Sequence, residues 1–219
     1  MRRDRLDAVV DDIRAELGAA HRAREVALPV CRLAIRHASL AIRAVHRGDD
    51  ETHARELAES ERCIREAQQA VVEHPMVQHA GFLHDAEKEY AEARLTAALV
   101  AGTPIPSHTD VEVMAHSWMR GLAEAASELR RNVLDRLRAD DLDTAQALLA
   151  AMDDAYDVLA SVDLPDALTG GLRRSVDSLR AVTERTRGDV TTTILQTRLR
   201  RAIEDASPNA KTGSEPTEA

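Results

Sequence analysis

The sequence predicts an all-α protein, and three observations carry that prediction. Ala and Leu, with Glu, Asp and Arg between them, dominate a chain that is 44% hydrophobic and only 2% aromatic, a set that favours helix over strand. Apolar residues recur at helical spacing along most of the 219 residues. Runs of β-branched and aromatic residues with period-two alternation, the mark of strands, are hard to find.

Leu6, Val9, Val10, Ile13 and Leu17 open the helical pattern, which resumes over residues 23–45. Pro29 lies inside it and, lacking an N–H, is expected to kink or interrupt the helix. Gly48 followed by Asp49 and Asp50 reads as a C-cap and then the N-cap of a second helix. That helix is heavily charged and reaches about Glu73, ending at His74-Pro75 because a residue before proline avoids helical geometry. A third helix covers roughly 77–100 and gives way to the Gly-Thr-Pro-Ile-Pro-Ser loop at 102–107. Thr109 or Asp110 is expected to cap a fourth helix reaching about Arg138, along which Met114, Trp118, Leu122, Ala125, Leu129, Val133 and Leu137 form an apolar stripe. After Asp140-Asp141 a fifth helix runs to about Ser161. Leu164-Pro165 and Gly170-Gly171 then bracket a turn before a last helix from about Leu172 to Asp205.

The expected architecture is therefore an antiparallel bundle of about six to seven helices. No composition shift or long linker divides it, so residues 1–206 are expected to form one domain. The polar stretch 207–219, with two prolines, is expected to be a disordered tail. Cys31 and Cys63, the two cysteines, lack metal or redox spacing and suit a reducing compartment. With no long apolar run and no apolar leader after Met1, the expectation is a cytoplasmic protein without a membrane partner.

A net charge of −9 excludes a uniformly basic nucleic-acid binder, but the charge is unevenly placed. Residues 21–47 hold six arginines against one acid, Glu25. Arg32, Arg36, Arg43 and Arg47 fall on one narrow helical face, and a row of guanidinium groups several turns long matches a phosphate backbone. The same stripe also fits a solvated face, or one paired with acids of another helix.

Two acidic pairs share helix faces: Glu89 with Glu92 at i, i+3, and Glu124 with Glu128 at i, i+4. Packed together, those helices would converge four carboxylates, which calls for a divalent cation to relieve the repulsion. In a chain with 38 acidic residues such pairs also arise without function. Small neighbours (Ala91, Ala93, Ala123, Ala125 and Ala126) permit the close helix approach a site would need. His74, His79, His84, His108 and His116 match no zinc spacing and suit surface or interface positions. Walker A, GxGxxG and GxSxG motifs are all absent.

Four segments, in consistent order, resemble the translin family. Residues 23–49 (AREVALPVCRLAIRHASLAIRAVHRGD) are similar to the opening helix of translin and of translin-associated factor X. Residues 81–95 (GFLHDAEKEYAEARL) resemble the stretch where the factor-X type carries glutamine-glutamate-tyrosine-x-glutamate-alanine. Residues 121–129 (GLAEAASEL) resemble its glycine-x-alanine-aspartate-x-x-glycine-glutamate-leucine motif, and residues 164–188 resemble the closing helix.

The resemblance implies a translin-like protomer that assembles into rings or barrels, commonly octamers, and binds single-stranded RNA or DNA. It further implies the factor-X activity, a metal-dependent endoribonuclease of archaeal or other microbial, single-component type. Glu89, Glu92, Glu124 and Glu128 fall on the family's acidic positions, as catalytic residues and ligands of Mg²⁺ or Mn²⁺. Glu124 departs from the family's aspartate and Ser127 from its glycine. On this view the arginine stripe of Arg32, Arg36, Arg43 and Arg47 holds the strand, and unpaired RNA is the expected substrate. The rival readings are a non-catalytic single-stranded RNA- or DNA-binding oligomer, and a structural oligomer whose arginines are consumed in ion pairs.

Overall fold

A computed structural model describes residues 2–206, with Arg2 described by its backbone alone; the expected tail 207–219 lies outside the described residues. Six long helices and two single turns make up the described chain: α1 (Arg2–Arg47), α2 (Asp50–Val71), α3 (Pro75–Gln78), α4 (Gly81–Ala101), α5 (Ala115–Arg138), α6 (Leu142–Ala160), α7 (Asp166–Thr169) and α8 (Leu172–Ala206). The fold is all-α, and no strand occurs among the described residues.

Local chemistry sets most of the boundaries. Gly48 adopts a left-handed φ of 67°. The Gly48 and Asp49 amides return to the carbonyls of Val45 and Ala44, closing α1. One residue on, the Asp49 carboxylate accepts the Thr52 amide and opens α2. This two-residue link folds α2 back along α1. Asp141 repeats the device, accepting from the Thr144 amide to start α6. Gly102, at φ 64°, ends α4.

Two expectations fail here. Pro29 does not interrupt α1, which is continuous from Arg2 to Arg47. Pro29 is exposed, so the Glu25 carbonyl it leaves without a partner can be hydrated. Nor do Thr109 and Asp110 cap α5. Asp110 instead accepts from the Ser107 amide and hydroxyl, and the helix starts at Ala115 after Met114, whose amide donates to the buried Glu87 carboxylate of α4. A side chain 27 residues away thus satisfies an amide at the start of α5.

The helices lie side by side in the order α2, α1, α4, α5, with α6 and α8 packed on α5 and on each other. The main core joins Ala27, Cys31 and Ala34 of α1 to Ile64 and Val71 of α2, Leu83, Tyr90 and Leu95 of α4, Leu122 of α5, and Leu179 of α8. A second cluster gathers Leu129 and Val133 of α5 with Leu149 and Met152 of α6 and Val190 of α8. Cys31 and Cys63 are buried free thiols; burial pushes the Cys31 thiol up to about 12.

Much of the chain's apolar surface is left uncovered at two ends. Leu6, Val9, Val10, Ile13 and Leu17 on the first turns of α1 are 42–61% exposed, and Leu195, Leu199 and Ile203 on the last turns of α8 are 57–62% exposed. No helix of the described residues is long and apolar enough to cross a membrane.

Candidate metal centre and nucleic-acid interface

Close packing of α4 on α5 builds the candidate site. Ala91, Ala123, Ala125 and Ala126 are all buried in the core that α4 and α5 share, whereas Ala93 packs with Ala38, Ala41 and Ile42 of α1. Gly121 makes the nearest approach: a Cβ there would lie 2.9 Å from the Lys88 carbonyl oxygen and 3.1 Å from the Glu92 amide nitrogen. Helices this close bring their acidic faces together. Glu89, Glu92 and Glu124 each offer a carboxylate oxygen, and the three atoms lie within 4.8 Å of one another.

The three carboxylates are not equivalent. Glu92 is 6% exposed and makes no hydrogen bond among the described residues. Burial, then the charges of Glu89 and Glu124, push its carboxyl up to about 9. Glu89 and Glu124 are half-buried and share one partner, the Lys88 ammonium, at 2.8 Å and 2.5 Å respectively. Burial alone would lower the Lys88 amine, but its hydrogen bonds to Glu124 and Glu89 outweigh it and hold the amine above the ordinary range.

Glu128, expected as a fourth ligand, stands apart from this trio. Its carboxylate is 2.8 Å from Nε2 of His46, a side chain only 2% exposed on α1. The other ring nitrogen is 2.9 Å from Oδ1 of Asn132. The hydrogen bond with His46 holds the Glu128 carboxyl below the usual range. Glu128 nevertheless lines the same open cleft as Glu92 and Glu124, a space of about 510 Å³ also lined by Arg120 of α5 and by Arg174 and Ser178 of α8.

The residues suit a hard divalent cation by the chemistry of the donor set. Three carboxylates converge, all their donors are oxygens, and the largely buried Glu92 carboxyl, which lines the open cleft, takes no hydrogen bond from the described residues. Histidines contribute nothing to this cluster. His84 and His116 form an edge-to-face ring pair 4.4 Å apart beside α7, and burial lowers the pKa of both.

Arg32, Arg36, Arg43 and Arg47 are all exposed on α1. They occupy about 60° of arc at 100° per residue, on the side away from the buried Ala34, Ala38 and Ala41. Arg47 lies 3.9 Å from Asp49, and the other three have no ion pair among the described residues. Acids of neighbouring helices therefore do not consume the stripe within the protomer.

Sequence reasoning missed Lys88, His46 and Arg174. Lys88 precedes Glu89, at the place where the factor-X motif has a neutral glutamine, so comparison of that one position could have flagged it. Arg174 is exposed and unpaired among the described residues and borders the acidic cleft. Nothing in helical spacing marks it, or His46, as a neighbour of the glutamates.

No protein-family model matches this sequence. The uncharacterized protein MJ0175 of Methanocaldococcus jannaschii is 28% identical over 179 residues, which cover 81% of this chain and 79% of that one. Two solved structures of AfC3PO, one of them in complex with duplex RNA, superpose with a TM-score of 0.73 at 27% identity, covering 90% of this chain and 98% of theirs. The structure of apo-NeC3PO gives a TM-score of 0.74 over 84% of this chain and 96% of that one, at 16% identity, a likeness of fold. The fold is translin-like, and the chain's structural neighbours are C3PO proteins of the translin family.

Proposed function

We propose that this chain binds RNA as a homo-oligomer and cleaves it as a metal-dependent endoribonuclease of the factor-X type. The observation that carries the proposal is the convergence of Glu89, Glu92 and Glu124 within 4.8 Å, with the largely buried Glu92 carboxyl taking no hydrogen bond from the described residues. Such an arrangement costs stability in the bare protein and is relieved by a cation. Glu89, Glu92 and Glu124 would hold Mg²⁺ or Mn²⁺. When bound, the ion supplies Lewis-acid activation of water and neutralises charge on a phosphate.

The chain's own side chains account for the rest. Arg174, unpaired among the described residues, borders the cleft and can bind phosphate oxygens beside the carboxylates, while Arg120 borders it paired to Asp85 at 3.4 Å. Arg32, Arg36 and Arg43, unpaired on α1, can track a backbone further away. His46 fixes the Glu128 carboxylate and ties α1, which carries the stripe, to α5, which carries Glu124.

RNA is the ligand class supported by likeness to AfC3PO, one of whose structures is a complex with duplex RNA. That complex bears on the expectation of unpaired substrate, so strand state is a variable of the test. The exposed apolar ends of α1 and α8 support the assembly of several protomers.

A non-catalytic RNA-binding oligomer is the second reading, and Lys88 favours it, because its ammonium already neutralises part of the acid cluster. Incubation with labelled single-stranded RNA, duplex RNA and single-stranded DNA, with Mn²⁺ or with chelator, separates the two. Metal-dependent cleavage that Glu89→Gln abolishes while RNA binding persists is the expected result. Binding without cleavage of any substrate would establish the second reading.

A further inference from the structure

Lys88 is the one lysine among the described residues, and it is 93% buried in the middle of the acid cluster. Its Nζ lies 2.8 Å from a Glu89 oxygen and 2.5 Å from a Glu124 oxygen. A small divalent ion takes carboxylate oxygens at about 2.0–2.1 Å. An ion bridging Glu89 and Glu124 would therefore need the space that the ammonium fills. Two cations cannot share it, since their repulsion at such separations is not screened by intervening water.

The cluster is also incompletely served as it stands. The ammonium contacts Glu89 and Glu124, while Glu92 receives no hydrogen bond from the described residues. A divalent ion could engage all three carboxylates. The lysine-filled state is thus stable enough to form yet leaves one acid unmatched.

We propose that Lys88 is a built-in competitor for the divalent ion: its ammonium must leave Glu89 and Glu124 before an ion can be held there. The site then exchanges between a lysine-closed and an ion-filled state as the free divalent concentration changes. This rests on the reading of Glu89, Glu92 and Glu124 as a metal site and adds to it the residue that sets the site's affinity.

The test is titration of the full-length chain with Mn²⁺, followed by the electron paramagnetic resonance signal of free Mn²⁺, for wild type, Lys88→Gln and Lys88→Arg. Losing a competing charge-assisted hydrogen bond should tighten Mn²⁺ binding by about tenfold to a hundredfold in Lys88→Gln. Lys88→Arg, which keeps the charge, should show no such gain. Equal or weaker Mn²⁺ binding by Lys88→Gln overturns the competition and leaves the metal site standing. If neither wild type nor Lys88→Gln binds Mn²⁺, the metal reading itself fails and the competition fails with it.

Should Lys88→Gln not fold, amine acetylation of the wild type read by peptide mass gives the answer. Lys88 should be protected without metal and modified at saturating Mn²⁺. Modification that does not change when Mn²⁺ is bound overturns the proposal.

Discussion

Gly121 of α5 lies against the backbone of Lys88 on α4 so closely that a Cβ would meet the Lys88 carbonyl oxygen at 2.9 Å. The contact is backbone on backbone, so no flexible side chain can yield to relieve it. It sets the spacing at which Glu124, one turn further along α5, meets Glu89 and Glu92.

Gly121→Ala should therefore force α4 and α5 apart by a few tenths of an ångström. Overpacking of this kind costs about 1–3 kcal/mol, readable as a lowered urea midpoint with an unchanged m-value. Mn²⁺ binding should weaken in the folded variant, because the carboxylates separate. A variant as stable as wild type would show that the helix contact is looser than the structure has it.

Glu92 makes stability depend on pH in a defined direction. Its carboxyl is raised to about 9 in the folded state, against 4.5 for the ordinary group. The folded protein thus binds a proton that the unfolded chain has released, and stability falls as pH rises from about 4.5 to 9. Glu92→Gln removes that slope, so its stability advantage over wild type should grow across this window and level off above it. Unfolding curves between pH 5 and 9.5 measure the difference. Saturating Mn²⁺ should flatten the wild-type decline, and parallel curves for the two proteins would show Glu92 ionised at ordinary pH.

The arginine stripe makes a salt-dependence prediction. Arg36→Ala with Arg43→Ala should weaken single-stranded RNA binding and shrink the slope of log K against log salt by about 0.7 for each lost contact. Arg174→Ala, in the acidic cleft, should do the same by one contact. Equilibrium binding at several KCl concentrations gives the slopes. Unchanged slopes in the double variant would place the RNA elsewhere on the surface.

Assembly should depend on the uncovered face of α1. Ile13 and Leu17 are 48% and 49% exposed, and Ile13→Glu with Leu17→Glu would put two carboxylates into any contact made there. Light scattering should find the wild type well above the 24.0 kDa of one chain and the double variant smaller. A wild-type monomer at micromolar concentration would remove the oligomer from the proposed function.

The sequence by itself determined the helical class and the α1–α2 and α5–α6 boundaries. Gly48, Asp49 and Asp141 act on amides or carbonyls within five residues, so their chemistry is legible in order along the chain. It also placed Glu89 with Glu92, and Glu124 with Glu128, on shared faces, because 3.6 residues per turn is a property of one helix. Which partner each face meets was left to the tertiary structure. Glu87 of α4 serves the start of α5, His46 holds Glu128 apart from the acidic trio, and Lys88 comes to lie between Glu89 and Glu124. The last two contacts with residues on other helices span 82 and 36 positions. Helical periodicity fixes the face of a residue but carries no register between helices; for Lys88 that register follows from how closely Gly121 lets α4 and α5 pack, and for His46 from where α1 lies against them.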